Sequence, residues 1–131
     1  MNISDFLASR MLNGVFRNTA YTFPATVHVA LYTSDPMAAD TGQEVSGGAY
    51  TRKAVTFTAS ALENGKQTIK NTADIEFPIA TADWGTVTHI GIRDAATGGN
   101  LLYFGALTAP RTILSGDRFK LLANSLVLTL R

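Results

Sequence analysis

The chain has 131 residues, a formal net charge of +1 and no cysteine. Hydrophobic residues make up 46% of it and charged residues only 16%, a balance that predicts one globular domain rather than a disordered chain. The lack of cysteine excludes disulfides and thiolate metal sites. The small net charge gives no basis for a nucleic-acid partner, and no apolar run approaches the roughly 20 residues that span a membrane.

One amphipathic helix is predicted at the N-terminus, over residues 3–18. Its apolar residues follow the three-and-four spacing of a broad apolar face: Ile3, Phe6, Leu7, Met11, Leu12, Val15 and Phe16. Ser4 or Asn2 is placed to cap its first turn. We expect this face to pack on the domain's own sheet; the alternative is that it docks on a partner subunit.

The remainder of the chain, residues 27–131, has the pattern of about eight short strands separated by turns. The clearest strand segments are residues 27–33, 49–58, 72–77, 86–93, 101–106 and 126–130, and residues 61–71 contain a turn. Asn64-Gly65 marks a tight turn, and Pro78 ends a strand because proline cannot donate a ladder hydrogen bond. This order predicts a mainly β protein, a single-domain antiparallel β-sandwich with one N-terminal α-helix.

A β-hairpin is predicted over residues 83–105, with its turn at Gly98-Gly99-Asn100. Strict alternation divides the first arm into two faces: Thr88, Ile90 and Ile92 against Val87, His89 and Arg93. The second arm divides in the same way: Leu102, Phe104 and Ala106 against Leu101 and Tyr103. The hairpin contains the single tryptophan, Trp84, which we expect to anchor the core.

The segment at residues 37–48 is polar and rich in small residues, which predicts a long exposed loop after the turn at Pro36. Asp35, Asp40 and Glu44 have the side chains that a hard cation needs. Their spacing matches no calcium loop, so we expect solvated carboxylates and no metal.

No group of residues has the pattern of a catalytic site. His28 and His89 lie within predicted strands beside apolar neighbours, which indicates structural or surface histidines. Ser46 lacks the glycine pattern of a nucleophile elbow, and neither Gly47-Gly48 nor Gly98-Gly99 matches a phosphate-binding loop. We therefore expect no enzyme and no cofactor.

Four aromatic residues are candidates for a sugar-stacking face: Trp84, Tyr50, Tyr103 and Phe104. They are the basis for one alternative, a carbohydrate-binding module for receptor recognition. Most aromatic residues of a small β protein lie in its core, which favours a structural role for them.

Five segments carry a family resemblance: LNGVFRNTAY (12–21), VALYTSDP (29–36), EVSGGAY (44–50), ADWGTVTH (82–89) and DAATGGNLL (94–102). In this order they resemble a family of small tailed-bacteriophage virion structural proteins. Such proteins are often labelled tail fibre or minor structural proteins, and they are similar to capsid decoration, or cement, proteins. The resemblance implies no catalytic residue. The residues it implies to be structural are Pro36, Gly47, Gly48, Trp84, Gly98 and Gly99.

The short chain has no fibrous repeat, which favours a protein that decorates and stabilises the capsid surface over a tail fibre. A tail fibre, tail-tip or baseplate accessory protein is the alternative on the same particle. The expected partners are the major capsid protein or tail proteins and further copies of the chain, in the geometry of a homotrimer. The candidate interface residues are Phe6, Met11, Phe16, Met37, Glu44 and Val45.

The expected location is the virion, on the capsid surface or the tail, after synthesis in the cytoplasm of the bacterial host. Asp5 and Arg10 interrupt the pattern of a signal peptide, which agrees with cytoplasmic synthesis.

Overall fold

The computed structural model describes residues 1–130, which contain one helix and ten strands joined by turns and loops. In chain order they are β1 (Asn2–Ile3), α1 (Asp5–Arg17), β2 (Val27–Tyr32), β3 (Lys53–Val55), β4 (Ala61–Glu63), β5 (Lys66–Lys70), β6 (Ile75–Glu76), β7 (Gly85–Arg93), β8 (Leu101–Ile113), β9 (Lys120–Leu121) and β10 (Val127–Leu130).

All strand pairs are antiparallel, and they form three sheets with the orders β1-β8-β7-β2-β3, β10-β5-β4 and β6-β9. One hydrophobic core takes side chains from all three sheets, for example Ile92, Leu121 and Leu128. The two small sheets therefore cover one face of the large sheet. The prediction of a mainly β, single-domain antiparallel sandwich with an N-terminal helix is confirmed.

The opposite face of the large sheet carries a smaller apolar cluster of Ala30, Tyr32, Leu101 and Phe104, against which Ala38 packs. The segment at residues 37–48 thus contacts this face through Ala38. It is also tied to the end of β2, where the Val45 amide donates to the Leu31 carbonyl over 2.9 Å. The prediction of a long exposed loop is confirmed for most of the segment, since seven of its twelve residues are exposed; Ala38, which packs on the sheet, and the buried Val45 depart from it.

A break in the pairing of β7 with β8 changes which side chains share a face. The register shifts between Val87 and His89, and Val87 lies in the same core cluster as Ile90 and Ile92. Alternation predicted opposite faces for Val87 and this isoleucine pair. That prediction is wrong because a bulge inserts extra backbone and resets the alternation.

A second register shift, between Ile92 and Arg93, changes which side chains of β8 share a face. Leu101 and Phe104 lie in one cluster although alternation placed them on opposite faces. Tyr103 belongs to the main core. The predicted hairpin is therefore present, but its faces follow the two bulges and not a strict period of two.

The helix begins two residues later than predicted, because Asn2 and Ile3 pair with β8 as a short strand. Ser4 is the N-cap: its buried hydroxyl accepts the Leu7 amide over 3.1 Å and donates to the Leu101 carbonyl. One residue therefore caps the helix and attaches its start to the large sheet. Asn18 ends the helix in the left-handed conformation, with φ of 53°.

Candidate assembly surface

The apolar side of α1 is largely uncovered. No residue of the helix is buried, and Phe16 is 79% exposed, with Leu12 and Val15 also exposed. Leu7, near the start of the helix, packs against the core. The expectation that this face packs on the domain's own sheet is therefore wrong for the second half of the helix, which residues 1–130 leave uncovered.

The chain after the helix turns back along it and forms a groove with it. Tyr21 packs edge-on against Phe6 with ring centres 6.1 Å apart, and Phe23 packs edge-on against Tyr21 at 5.6 Å. The groove between the helix and this segment has a volume of about 440 Å³. Phe23 on its rim is 79% exposed. Large apolar patches of this kind mark protein–protein contact sites.

The charged residues of α1 lie beside this apolar surface. The Arg10 guanidinium sits 5.1 Å from the centre of the Phe6 ring, a cation–π contact. Within residues 1–130, no ion pair involves Asp5, Arg10 or Arg17. The carboxylate and the two guanidinium groups are therefore available to charges on a partner.

The predicted interface residues do not form one surface. Phe16 and Met11 belong to the helix surface, and Phe6 is half-buried against Tyr21. Met37 is exposed but lies in the segment that follows β2. Val45 and Glu44 add no apolar contact surface. Val45 is 5% exposed within the main core, and Glu44 is half-buried in an ion pair with Arg52.

Glu44 forms a two-point ion pair with Arg52. The Nε and Nη2 atoms of Arg52 each donate to one carboxylate oxygen over 2.8 Å. Tyr50 donates its hydroxyl proton to the same carboxylate over 2.6 Å and accepts the Leu31 amide. Burial raises the pKa of Tyr50, and the hydrogen bond to Glu44 raises it further, so the phenol remains a donor.

Arg93 and Asp40 form a second two-point ion pair, at 2.8 and 2.9 Å. Arg93 also donates to the hydroxyl of Tyr32 over 2.9 Å and to the Gly99 carbonyl over 2.9 Å. Both Arg93 and Arg52 donate to the Gly98 carbonyl. We call this pair of arginines with their carboxylates the two-arginine clamp; it joins the hairpin turn to the segment at residues 37–48.

The clamp gives Asp40 and Glu44 arginine partners, and Asp35 and Asp40 remain open to solvent. Among residues 1–130 there is no group of three histidine or carboxylate side chains arranged to hold a metal ion. His89 lies 3.9 Å from Asp35 and contacts the Thr88 hydroxyl, and His28 is half-buried in β2.

Acid is expected to destabilise the protein partly through Glu44. Burial alone would raise the pKa of Glu44, but hydrogen bonds from Arg52 and Tyr50 more than offset it, and the pKa lies below the ordinary 4.5. A carboxylate with a lowered folded-state pKa stabilises the fold above its ordinary value, and this stabilisation is lost as pH falls through the folded-state value.

The measurement is urea unfolding between pH 7 and pH 3 of the wild-type protein and of Glu44→Gln. We expect the difference in unfolding free energy between them to shrink as pH falls below about 4.5. A difference that stays constant across this range would contradict the assignment. Asp74, whose pKa is lowered by the Ala123 amide and Lys120, contributes equally to both proteins and cancels.

Trp84 lies in the core beside the loop that contains Gly48. It is 5% exposed, and its indole N–H donates to the Gly48 carbonyl over 2.9 Å. Gly48 has a φ of +59°, and a Cβ there would lie 2.8 Å from the indole nitrogen, so only glycine fits. The ring of Tyr50 packs edge-on against Trp84 at 5.5 Å.

This packing removes the basis for a sugar-stacking face. Trp84, Tyr103 and Phe104 are all buried, and Tyr50 is half-buried. No flat aromatic surface from these four residues is presented to solvent. The prediction that Trp84 anchors the core agrees with its position, and the candidate face for carbohydrate binding is wrong.

The remaining residues implied to be structural lie at the turns that surround the clamp. Gly98 and Gly99 both have positive φ and supply carbonyls to the arginines. Gly47 also has positive φ, while Pro36 is fully buried. Sequence patterns do not mark Arg52, and they predict only a strand face for Arg93. Their carboxylate partners, Glu44 and Asp40, lie 8 and 53 residues away in the chain.

One family comparison covers almost the whole chain. The model of the family described as Podophage GP4 fiber I protein gp80 matches residues 2–129. No curated protein matches the chain. Within residues 1–130, no helix has the length and apolar character to cross a membrane. The family description agrees with the fibre part of the resemblance seen in the sequence and gives no support to the part that concerned cement proteins. The chain belongs to the Podophage GP4 fiber I protein gp80 family and is a bacteriophage virion structural protein.

Proposed function

We propose that this protein is a non-enzymatic building block of a phage tail fibre. The observation that carries the proposal is the match of a fibre-protein family over residues 2–129. This match favours the alternative of a tail fibre over the capsid decoration first expected from the short chain. The lack of a fibrous repeat then means that the chain contributes one globular unit to a fibre assembled from several chains.

The fold suits a rigid unit joined to its neighbours through one surface. The two-arginine clamp ties the loops of the β body to each other, and the exposed side of α1 with Phe23 remains for contact. Burying one large apolar side chain contributes about 1.5–3 kcal/mol. Docking of Leu12, Val15, Phe16 and Phe23 on tail proteins or on other copies would therefore supply substantial binding energy before polar contacts are counted. We propose no role for nucleic acid, membrane or cofactor.

The proposal is tested by the position of the protein on the intact particle. Cryo-electron microscopy of virions, with an antibody label against the β body, is expected to show copies at the tail only. Copies distributed over the head would overturn the fibre proposal and establish capsid decoration, the second candidate. The chain's short, repeat-free sequence is the observation that keeps this second candidate.

Incorporation into particles is expected to depend on the helix surface. Phe16→Ser removes a ring that is 79% exposed, so the fold should be retained while the docking contact is weakened. We expect at least a tenfold loss of protein in purified virions, which corresponds to about 1.4 kcal/mol of binding free energy.

The readout is quantitative immunoblotting of particles produced with the variant. Leu62→Ser is the matched control, because Leu62 is 69% exposed on β4 and does not belong to the helix surface. Equal incorporation of the Phe16 variant and the Leu62 variant would show that the virion contact lies elsewhere.

A further inference from the structure

We propose that Asn64 is a site of spontaneous covalent modification, at which the side-chain amide is converted to a carboxylate through a succinimide ring. The proposal goes beyond the fibre function and does not rest on it. Three features of the turn between β4 and β5 carry it: the glycine that follows Asn64, the exposure of both residues, and the state of the backbone amide that joins them.

The glycine that follows Asn64 supplies an unhindered nucleophile. The Gly65 backbone nitrogen loses its proton to base and attacks the Asn64 Cγ atom, so that a C–N bond forms and the Cγ–Nδ2 bond breaks. The Nδ2 atom leaves as ammonia. Water then opens the ring at one of its two carbonyls and leaves either an aspartate or an isoaspartate at this position. The conversion consumes one water and releases one ammonia, and it needs no oxidant or reductant. Because glycine has no Cβ, it opposes ring closure less than any other residue.

The fold leaves both reacting groups of the turn without partners. Asn64 and Gly65 are exposed and form a two-residue turn, flanked by the pair Glu63 and Lys66. Within residues 1–130, neither the Asn64 side chain nor the Gly65 amide has a hydrogen-bond partner. A Cβ added to Gly65 would meet nothing within 4 Å. The nitrogen that attacks and the amide that is attacked are therefore both available, and the surrounding chain leaves room for the ring.

The position of the turn at the edge of a small sheet allows the motion that the reaction needs. Ring closure requires rotation about the Asn64 Cα–C bond, away from the turn conformation in which Asn64 has a φ of 50°. β4 is a three-residue edge strand that pairs only with β5, and all of its residues are exposed. A short edge hairpin with so little buried surface opens locally at low cost in free energy.

The second Asn-Gly pair of the chain, Asn13-Gly14, is an internal reference. It lies half-buried within α1, where the helical pattern directs the Gly14 amide to the Arg10 carbonyl. The Asn13 carbonyl also accepts the Thr19 amide over 3.0 Å. Ring closure at Asn13 would break this part of the helix. We therefore expect Asn13 to react more slowly, although the dipeptide is the same.

Other asparagines are also held by hydrogen bonds that Asn64 lacks. The amides that follow Asn18, Asn71 and Asn124 donate to the carbonyls of Asn13, Thr56 and Leu122. The side-chain amide of Asn100 donates to the Asp94 carboxylate over 3.1 Å. The structure thus separates Asn64 from these asparagines by the state of its two reacting groups.

The modification changes the charge and the backbone of the turn without reaching the core. The formal net charge falls by one, from +1 to 0. An isoaspartate also adds one backbone carbon between β4 and β5. Because β4 buries no residue and β5 also pairs with β10, we expect the modified protein to keep its sandwich.

The first experiment measures the rate of the reaction at each Asn-Gly pair. Purified full-length protein is held at 37 °C and pH 8, and isoaspartate is located by peptide mass spectrometry and by labelling with an isoaspartyl methyltransferase. Asn64 is expected to react at least about tenfold faster than Asn13, a difference of about 1.4 kcal/mol in activation free energy. In guanidinium chloride, where the helix is lost, the two pairs are expected to react at similar rates. A folded protein in which Asn64 reacts no faster than Asn13 overturns the proposal.

The second experiment tests the succinimide route with matched variants. Asn64→Gln is expected to remove the isoaspartate and the acidic charge variant of the folded protein, because glutamine would have to close a slower, six-membered ring. Asn13→Gln is expected to leave both unchanged, and far-ultraviolet circular dichroism checks that each variant is folded. The wild-type rate is expected to rise from pH 6 to pH 8, since the attacking amide must lose its proton. A wild-type yield of isoaspartate in Asn64→Gln, or a rate that does not rise with pH, overturns the proposal.

Discussion

Replacing Arg93 by methionine is expected to lower the free energy of unfolding by about 1–3 kcal/mol, the usual cost of leaving buried acceptors without their donor, since Asp40 at the other end of the ion pair is partly exposed to water. Arg93 is 7% exposed and donates to Asp40, Tyr32 and the carbonyls of Gly98 and Gly99. Methionine fills much of the same volume but donates no hydrogen bond. The Asp40 carboxylate then lacks its counter-charge, and two turn carbonyls lose their donors.

Urea unfolding followed by Trp84 fluorescence measures this loss, because the indole moves from the core to water. Arg118→Met is the control: Arg118 pairs with Glu76 at 3.4 Å on the surface, where a salt bridge contributes about 0–1 kcal/mol. Equal effects of the two substitutions would mean that the clamp contributes no more than a surface pair. An unchanged dependence on urea concentration in both variants would show that the denatured states are comparable.

Replacing Trp84 by alanine is expected to cost about 3–5 kcal/mol, as for other large aromatic residues in cores. The indole contacts Tyr50 and holds the Gly48 carbonyl, so its removal leaves both a cavity and an unsatisfied acceptor. Trp84→Phe keeps most of the ring and loses the N–H. It is therefore expected to be clearly more stable than the alanine variant but less stable than the wild type.

Thermal unfolding by circular dichroism measures both variants, since neither contains tryptophan. Phe23→Ala is the control, because Phe23 is the same class of residue but is exposed at the groove rim. A Trp84→Ala protein as stable as Phe23→Ala would contradict a core role for the indole.

Local patterns in the sequence predicted the elements that depend on neighbouring residues. The alternation of residues 27–33 is confirmed, with Val29 and Leu31 in the main core and Tyr32 on the other face. Asn64-Gly65 forms the tight turn between β4 and β5, both residues having positive φ. Ser4 caps the helix. Each of these features is set by steric and hydrogen-bonding preferences over a few residues.

The features that sequence patterns missed depend on distant partners. Nothing near Val87 in the chain signals the bulge, which is set by how β8 passes β7. The clamp joins Asp40 to Arg93 across 53 residues. The helix periodicity indicated an apolar face correctly, but periodicity gives no information about what covers that face. The sequence therefore predicts the apolar residues of the helix in the candidate assembly surface, but it does not predict that they are exposed.

The position of the last strand constrains when the body can fold during synthesis. β10 pairs with β5, Leu126 belongs to the main core, and its amide donates to the Asn71 side chain. The sandwich therefore cannot close before residues 126–130 have been made, whereas α1 emerges first and needs only local hydrogen bonds. The nascent chain therefore exposes the apolar side chains of α1 while the β-sandwich is still incomplete.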